Sequence, residues 1–407
     1  MPYSVLIEKV IGQDLCASCG ACELVCPVEA IRFQGGQVAV APSFTDADCG
    51  TCNACVEVCP GDDPATPQIE QALFGRVRTP EERWLGIYKV AYGGRALDRE
   101  VFSRSASGGS ITALLQASMT SLKVGAVLTM GRRSDHRWHA APTLGSDPAA
   151  LVEQAQSTYQ IAPYLGILRP LFVRSPETRI AISGLPCHIQ AIRKLQQLES
   201  PAGEWARTSV AFLIELACAS GTTPEGTRTL IKDVAGIPEH TVEEIRYRDG
   251  DYPGGIKIVT SEGSEHRLSF RRAVQHFVHH KTHRCLSCGD WMSGLADISV
   301  CDGDPNVFEA GVSRPADEKH GQILVRTQTG STVLGDAVES GLIRAWPVSA
   351  HATNLGLERK RNRRAGFERS GATVPSGPIP GYVEDIEPRS DDQFIPPPPP
   401  GADSQSG

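Results

Sequence analysis

Eight of the thirteen cysteines lie in two short runs near the N-terminus. The first run is CASCGACELVCP, beginning at Cys16, and the second is CGTCNACVEVCP, beginning at Cys49. Each has the C-x2-C-x2-C-x3-C-P spacing with which thiolates ligate a 4Fe-4S cluster, and in two-cluster proteins the fourth cysteine ligates the other run's cluster. The spacing therefore predicts two clusters, one on quartet A (Cys16, Cys19, Cys22 and Cys59) and one on quartet B (Cys26, Cys49, Cys52 and Cys55).

Zinc and disulfides are the alternative uses of so many cysteines. Tetrahedral zinc sites draw two Cys pairs from separate hairpins, whereas here three cysteines recur at every third residue and the two runs repeat each other. Pro27 and Pro60 stop the chain after each fourth cysteine. The stretch resembles the bacterial two-cluster ferredoxins over about a seventh of the chain.

Composition limits the other function classes. The chain has 407 residues, 40% of them hydrophobic, which is enough for two or three globular units. A net charge of -7 without a basic patch argues against nucleic acid as a partner. No apolar run approaches the ~20 residues that span a bilayer. The N-terminus lacks the pattern of a secretory signal, so the cysteines indicate metal ligation in a reducing cytoplasm.

A glycine-rich and serine-rich turn precedes a predicted helix in the second part of the chain. A predicted strand over residues 87–93 comes before it, and another over residues 124–130 follows, an order typical of a parallel α/β sheet. Free N-H groups at such a helix start suit a phosphate, but glycines that merely allow close packing are an equally ordinary explanation. The candidate residues are Ser105, Ser107, Gly108, Gly109 and Ser110.

Four further cysteines are predicted to share one edge of this sheet. Cys187 and Cys218 each follow a predicted strand, and the carboxyl edge of parallel strands is where open α/β sheets bind ligands. Cys285 and Cys288 add a C-x2-C pair. We call these four cysteines the rim quartet. They suit zinc or a third 4Fe-4S cluster: spacing alone slightly favours zinc, and the electron source nearby favours the cluster. Taken singly, Cys187 or Cys218 could be an inert buried thiol.

An ordered set of motifs carries a family resemblance from about Tyr88 to His320. The motifs are SASGGSITALL, QSTYQIAPYLG, GLPCHIQAIRK, YRDGDYPGG and CLSCGDWMSGLADISVCDGD. Together they resemble the coenzyme F420 hydrogenase/dehydrogenase beta-subunit family, which includes the plant 7-hydroxymethyl chlorophyll a reductases. The resemblance implies a 4Fe-4S cluster on the rim quartet and FAD bound by the loop at residues 105–110, by Ser157, Thr158 and Tyr159, and by Gly254 and Gly255. Tyr252 and Cys301 depart from the family pattern, where Trp and Gly are usual.

Arginines beside the PGG turn are candidates for holding the flavin. Arg246 and Arg248 can contact an anionic isoalloxazine or diphosphate oxygens, and Lys257 is a weaker candidate. Charges facing solvent on a strand are the alternative. Four histidines between His276 and His283 fit a helix face better than a ligand set, and four aspartates from Asp290 to Asp304 fit turns better than catalysis.

An electron-transfer function follows from these cofactors taken together. Iron-sulfur clusters pass single electrons, whereas a deazaflavin or a carbon centre generally exchanges two, and flavin does both. We therefore predict an iron-sulfur flavoprotein oxidoreductase that connects a ferredoxin or partner subunit to a two-electron substrate, coenzyme F420 first. The alternatives are a ferredoxin-dependent reductase of another organic substrate, a non-catalytic electron-transfer subunit, and a structural zinc site in the rim quartet.

The predicted fold class is an α+β ferredoxin-like domain followed by an α/β flavin domain and a disordered Pro-rich tail. The ferredoxin domain spans residues 1–75, the two parts of the flavin domain span residues 85–205 and 206–370, and the tail spans residues 371–407. Within these units we expect a strand in residues 1–15, a hairpin in residues 31–40, a loop at residues 61–68, and a solvated basic helix over residues 355–370.

Overall fold

The computed structural model describes residues 2–33, 42–45, 49–307, 313–352 and 355–388. Its strands are β1 (Ile31–Arg32), β2 (Ser43–Phe44), β3 (Val90–Ala96), β4 (Ala126–Arg132), β5 (Ala140–Gly145), β6 (Ile180–Gly184), β7 (Val210–Leu216), β8 (Val242–Asp249), β9 (Gly255–Thr260), β10 (Glu265–Ser269), β11 (Ile298–Asp302), β12 (Gly321–Val325) and β13 (Ile343–Pro347).

Helices surround these strands. They are α1 (Pro2–Leu6), α2 (Ala21–Val25), α3 (Ala54–Glu57), α4 (Thr66–Phe74), α5 (Arg99–Arg104), α6 (Ser110–Ser121), α7 (Pro148–Glu153), α8 (Arg169–Arg174), α9 (Pro186–Gln197), α10 (Pro201–Ser209), α11 (Pro224–Thr229), α12 (Phe270–Phe277), α13 (His283–Ser287), α14 (Gln328–Glu339) and α15 (Leu355–Arg369). Short π or 3-10 turns cover Ile7–Ile11, Pro80–Glu82, Leu165–Leu168, Leu230–Val234, Glu239–Thr241, Val278–His280 and Ala316–Glu318. Across the described ranges, no helix has the length and apolar character needed to cross a membrane.

The largest sheet has a parallel centre and antiparallel edges. Its eight strands run in the order β13-β3-β12-β11-β7-β6-β4-β5. Neighbouring strands from β11 to β4 pair in parallel, whereas β5 on one side and β12, β3 and β13 on the other pair antiparallel. The second part of the chain is therefore a mixed α/β domain, and the expected parallel arrangement holds only at its centre.

Both faces of this sheet are buried, which is why its central strands are continuously apolar. Side chains alternate between the faces, so Leu213 lies in one core while Phe212 and Ile214 lie in the other. Helices α9 and α10 cover the first face, and α6 and α14 cover the second. The polar groups of the sheet edge are thus held by strands that have little freedom to move.

The N-terminal residues form a helix, and the prediction of a strand there is wrong. Tyr3, Leu6 and Val10 are spaced for one helical face and pack into the core of the cysteine-rich unit. Tyr3 also stacks on Phe44, with ring centroids 5.3 Å apart. Strand β1 pairs antiparallel with β2, while residues 34–40 of the predicted hairpin lie outside the described residues. The predicted loop at 61–68 ends early, because α4 begins at Thr66.

The cysteine-rich unit shares a hydrophobic core with the α/β domain. Leu24 and Val58 lie in the same buried cluster as Leu165, Ile189 and Leu195. Polar contacts also join the units: the Leu165 N-H donates to Cys19 O at 2.8 Å, and Arg169 donates to Leu24 O at 3.0 Å. The Lys194 ammonium donates to Cys59 O at 2.8 Å and to Asp63 O at 2.6 Å. The two units are therefore packed as one body.

We expect Lys194→Met to loosen this interface. The substitution removes two hydrogen bonds from a charged donor, each worth about 1.5–3 kcal/mol, while keeping the apolar stem. The urea midpoint, followed anaerobically by tryptophan fluorescence, should fall. Gln197→Met at an exposed position on the same helix is the control. Equal midpoints for the two variants would show that Lys194 does not stabilise the interface.

A second, smaller sheet carries the YRDGDYPGG motif. Strands β8, β9 and β10 pair antiparallel, and helix α12 packs on them through Ala273 and Phe277. Tyr247 is fully buried beneath this helix, and its hydroxyl contacts Thr227 at 2.8 Å and accepts from the Gln160 amide at 2.8 Å. The small sheet is thereby fixed against the segment around Gln160.

The C-terminal segment is ordered further than predicted. Tyr382 and Val383 are buried, and the Tyr382 hydroxyl donates to Gly289 O at 3.0 Å. Arg83 pairs with Asp385 at 2.7 Å. The prediction that the tail is disordered from residue 371 is therefore wrong up to residue 388. The proline-rich composition indicated disorder, but a few apolar side chains in this segment are buried against the domain. Residues 389–407 lie outside the described residues.

Candidate redox site

Quartet A surrounds a cavity in the cysteine-rich unit. Cys16, Cys19, Cys22 and Cys59 all line one small, partly open cavity. Burial, together with the neighbouring Cys59 thiol, raises the pKa of the Cys16 thiol to about 12, although the Ser18 N-H opposes the shift. The predicted grouping, in which Cys59 of the second run joins three cysteines of the first, matches this arrangement.

Quartet B surrounds a second small cavity. Cys26, Cys49, Cys52 and Cys55 all line it. Burial, followed by the three neighbouring thiols, raises the pKa of the Cys55 thiol to about 11. Cys26 thus joins the second run, in keeping with the exchange of fourth cysteines between the runs.

The donor groups of both cavities suit iron-sulfur clusters. Backbone N-H groups point at sulfur, since Ser18 N lies 3.4 Å from Cys16 Sγ, Ala30 N 3.2 Å from Cys26 Sγ and Gly61 N 3.4 Å from Cys59 Sγ. Four soft thiolates with amide donors are the ligand set that 4Fe-4S clusters use. Over the part of the chain that the structure describes, no three His, Cys, Asp or Glu side chains converge on a single metal ion position.

The rim quartet comes from two adjacent parallel strands and one short helix. Cys187 lies in the first turn of α9, just after β6, and Cys218 follows β7. Cys285 lies in α13 and Cys288 ends it. Burial raises the pKa of the Cys187 thiol, and so do the nearby thiols of Cys19, Cys218 and Cys285. The structure thus brings all four together, beside Cys19 of quartet A.

Cations from the C-terminal helix lie against the rim quartet. The Lys360 ammonium donates to Cys218 O at 2.8 Å, and Arg364 donates to Ser287 O at 3.2 Å. Both side chains are buried, so the prediction of a solvated basic helix is wrong. Burial alone would raise the pKa of the Cys288 thiol, but Lys360 and Arg284 outweigh it and hold that pKa below its ordinary value.

One segment, residues 156–166, runs from the predicted flavin residues past the rim quartet to quartet A. Thr158 accepts from Arg132 at 2.7 Å, beside the predicted flavin residues. Ile161 N donates to Thr222 O at 2.8 Å, four residues after Cys218, and Leu165 N donates to Cys19 O of quartet A. The QSTYQIAPYLG motif therefore runs along all of these sites in order.

The glycine-rich turn before α6 owes its composition to close packing. Gly108 and Gly109 have φ of 80° and 78°, which favour glycine. A Cβ on Gly108 would lie 2.9 Å from Lys319 O, and one on Gly109 would lie 2.8 Å from the Val101 side chain. The serine hydroxyls are used locally, since Ser110 donates to Gly94 O and Ser105 to Phe102 O, each at 2.8 Å.

Asp302 forms hydrogen bonds with other residues of the predicted flavin site. Its carboxylate accepts from Arg248 at 3.1 Å, from the Tyr252 hydroxyl at 3.0 Å, and from the Ser107 hydroxyl. Burial disfavours the Arg248 charge, but Asp302 and Tyr159 hold its pKa above the ordinary value. Arg246 instead pairs on the surface of the strand with Glu244 at 2.9 Å. Asp302 was missed as a site residue, although its position at the end of β11, on the same edge as Cys218, was a usable signal.

Two buried side chains nearby have polar atoms without hydrogen-bond partners among the described residues. Arg132 Nε and Nη2 are buried next to Thr158, and Gln156 Oε1 is buried on the same segment. Burial lowers the pKa of the Arg132 guanidinium. A buried cation with unused donors is costly unless a ligand anion meets it, so these atoms fit an anionic cofactor. Ser157, which follows Gln156 in the chain, is half-buried.

The remaining candidates have structural roles. Gly254 and Gly255 sit where a Cβ would lie 2.9 Å from the Arg248 backbone and 2.7 Å from Leu268 O, respectively. Lys257 pairs with Glu265 at 2.5 Å. Among the histidines, His276 contacts Gly226 O at 3.1 Å and His283 contacts Thr373 O at 2.7 Å. These contacts support the assignment of the histidines to packing rather than to ligation.

The other aspartates and the thirteenth cysteine are also structural. Asp297 accepts from Leu213 N at 2.8 Å, and Asp304 accepts from Asn306 N at 2.9 Å in a turn. Asp290 is buried and accepts from Gln190 at 2.8 Å. Cys301 is buried in the core, where burial raises the pKa of its thiol and Gln322 donates to its sulfur at 3.3 Å.

Comparison with known proteins identifies the two parts of the chain. The family profile described as coenzyme F420 hydrogenase/dehydrogenase, beta subunit N-term matches residues 91–169, and the corresponding C-terminus profile matches residues 177–351. A 4Fe-4S dicluster domain profile matches residues 15–62. The two beta-subunit profiles together cover about three fifths of the chain.

Relatives with curated names and a solved structure agree with this. The coenzyme F420 hydrogenase subunit beta of Methanococcus voltae is 24% identical over 68% of this chain and 90% of that protein. The coenzyme F420-dependent sulfite reductase of Methanocaldococcus jannaschii is 23% identical over 81% of this chain, but over only 47% of its own length. A chain of the F420-reducing [NiFe] hydrogenase complex from Methanosarcina barkeri is 20% identical, with a TM-score of 0.54 over 70% of this chain and 91% of that one, which supports the fold. The chain therefore belongs to the coenzyme F420 hydrogenase/dehydrogenase beta-subunit family and carries an N-terminal 4Fe-4S dicluster domain.

Proposed function

We propose that the chain exchanges electrons between a one-electron carrier and coenzyme F420 through three 4Fe-4S clusters and FAD. The observation that carries this proposal is the position of the rim quartet. It adjoins Cys19 of quartet A on one side, and on the other it is joined through Thr222 to the Tyr159 segment. The names of the relatives supply coenzyme F420 as the two-electron partner.

The order of the centres follows from these contacts. Helix α2 joins Cys22 of quartet A to Cys26 of quartet B. Arg284, next to Cys285 of the rim quartet, donates to Pro60 O, next to Cys59 of quartet A, so quartet A would lie between the other two. A one-electron carrier, a ferredoxin or a partner subunit, would therefore meet the cysteine-rich unit nearest to quartet B. Electrons would pass along the clusters in the order B, A, rim.

The group around Asp302 supports a flavin beside the rim quartet. FAD, when bound, supplies the exchange between single electrons and hydride equivalents. Arg248 and Tyr252, held by Asp302, would orient the flavin, and Arg132 would meet one of its anionic oxygens. Buried walls formed by Tyr159, Tyr247 and Phe277 would exclude water from the reacting ring.

An anaerobic reduction tests this proposal. Reconstituted, oxidised protein is mixed with reduced F420 while the absorbance of the flavin and of the clusters is followed. We expect both to bleach in proportion to the deazaflavin oxidised. Bleaching by dithionite but not by reduced F420 would reject the deazaflavin and favour a ferredoxin-dependent reductase of another organic substrate. If the preparation binds no flavin and its clusters are bleached by dithionite, the result would favour a purely electron-transferring subunit.

A further inference from the structure

We propose that the segment 355–388 is a cationic cover that raises the reduction potential of the rim cluster above those of the two ferredoxin-type clusters. This inference rests on the proposed function, since it assumes a 4Fe-4S cluster on the rim quartet. The segment lies beyond the matched family region, which ends at residue 351. Its role therefore concerns a part of the chain that the family assignment leaves without one.

The cover is held in place by buried contacts on both sides of the rim quartet. Lys360 is bonded to Cys218 O and Arg364 to Ser287 O, immediately beside two of the four cysteines. Beyond the helix, the Tyr382 ring packs so closely on Gly289 that a Cβ there would overlap it. Lys360 is 2% exposed and Arg364 3% exposed, so solvent screens these charges weakly.

Positive charge increases stepwise along the proposed relay. At quartet B, the described residues that line the cavity beside the cysteines are uncharged: Tyr3, Pro27, Val28, Ala30 and Ile31. At quartet A, Lys194 contacts Cys59 O, and Arg284 donates to Pro60 O at 3.4 Å. At the rim quartet, Lys360 and Arg364 are added to Arg284, and these three buried cations lie there together with the buried carboxylate of Asp290.

Such a gradient has a direct electrochemical consequence. Reduction adds one negative charge to a cluster, and a nearby buried cation stabilises that charge. Net charge, hydrogen bonds and solvent exposure are the features that set cluster potentials. A centre with several buried cations is therefore reduced more readily than one whose described lining is uncharged, and electrons arriving at quartet B would collect at the rim cluster beside the flavin site.

The test is an EPR-monitored redox titration of the full-length, anaerobically reconstituted protein. The signal of the rim cluster is the one that Cys187→Ser removes. We expect Lys360→Met to make reduction of that cluster about tenfold less favourable, a fall of 59 mV for a one-electron couple. Lys360→Arg, which keeps the charge, should restore the midpoint to within about 20 mV, a twofold change on the same scale.

Arg359→Met is the matched control, because Arg359 is the exposed neighbour of Lys360 on the same helix. Its rim midpoint should equal that of the parent. A full complement of iron in Lys360→Met with an unchanged rim midpoint would overturn the proposal. If Lys360→Met loses iron, Arg364→Gln is titrated instead. A lowered rim midpoint in that variant would support the proposal, and an unchanged midpoint would overturn it. A parent protein with about eight irons and no rim signal would reject the rim cluster itself, and with it the proposed function.

Discussion

Replacement of Cys187 by Ser should remove about a third of the iron, from about twelve atoms per chain to about eight. The serine hydroxyl is a hard and weakly acidic donor, whereas the iron of these clusters prefers soft thiolate. Flavin should still bind and still be bleached by reduced F420, because Asp302, Arg248 and Tyr252 lie on other elements. Reduced F420 should no longer reduce the remaining clusters, because the connection through the rim quartet is broken.

Cys301→Ser is the control for this variant. Cys301 is the thirteenth cysteine, buried in the core, with Gln322 donating to its sulfur. It should retain all the iron and the coupled bleaching. Cys187→Ser with unchanged iron would show that Cys187 is not a cluster ligand. About eight irons together with one zinc in the unmodified chain would instead establish the structural zinc alternative.

The two ferredoxin-type quartets were predictable because their information is local. A cluster ligand set in which three cysteines recur at every third residue can be recognised without knowing the fold. Only the assignment of Cys26 and Cys59 needs a further rule, that the fourth cysteine of each run joins the other run's quartet. Prediction of the rim quartet also required knowing which strands are neighbours. Strands β6 and β7 had to be parallel neighbours for Cys187 and Cys218 to meet, and the pairing of these strands confirms this.

The basic helix was mispredicted because its partners are distant in the sequence. Lys360, Arg363 and Arg364 lie in a run with few apolar residues, which ordinarily indicates a solvated helix. In the fold they are buried against backbone carbonyl oxygens supplied by residues 218, 219 and 287. A pattern within one helix does not contain that information.

The glycine-rich turn and Asp302 also depend on contacts between segments that are distant in the sequence. Gly108 was predicted to bind phosphate, yet its contact with the Lys319 backbone already explains the glycine. Asp302 was predicted to be a turn residue, yet it joins Ser107, Arg248 and Tyr252 from three separate segments. Neither role could be assigned until the sheet edge brought these segments together.

Arg248→Met should have the largest effect on the proposed flavin site. Arg248 and Asp302 are 5% and 13% exposed at their side chains, and removing one partner of a buried ion pair typically costs about 3–5 kcal/mol. If Arg248 also contacts the flavin, losing a charged hydrogen-bond donor should weaken binding by about 1.5–3 kcal/mol, roughly 10- to 150-fold. Flavin per chain after gel filtration and the unfolding midpoint measure the two effects.

A double variant separates stability from binding. In Arg248→Met with Asp302→Asn, no buried carboxylate is left without its cation, so much of the lost stability should return. The flavin should not return, because its arginine contact is still missing. Arg246→Met on the same strand is the matched control: its pair with Glu244 is more exposed and should cost no more than about 1 kcal/mol, with flavin retained. If the double variant regains flavin together with stability, Arg248 supports the site through Asp302 and does not contact the flavin.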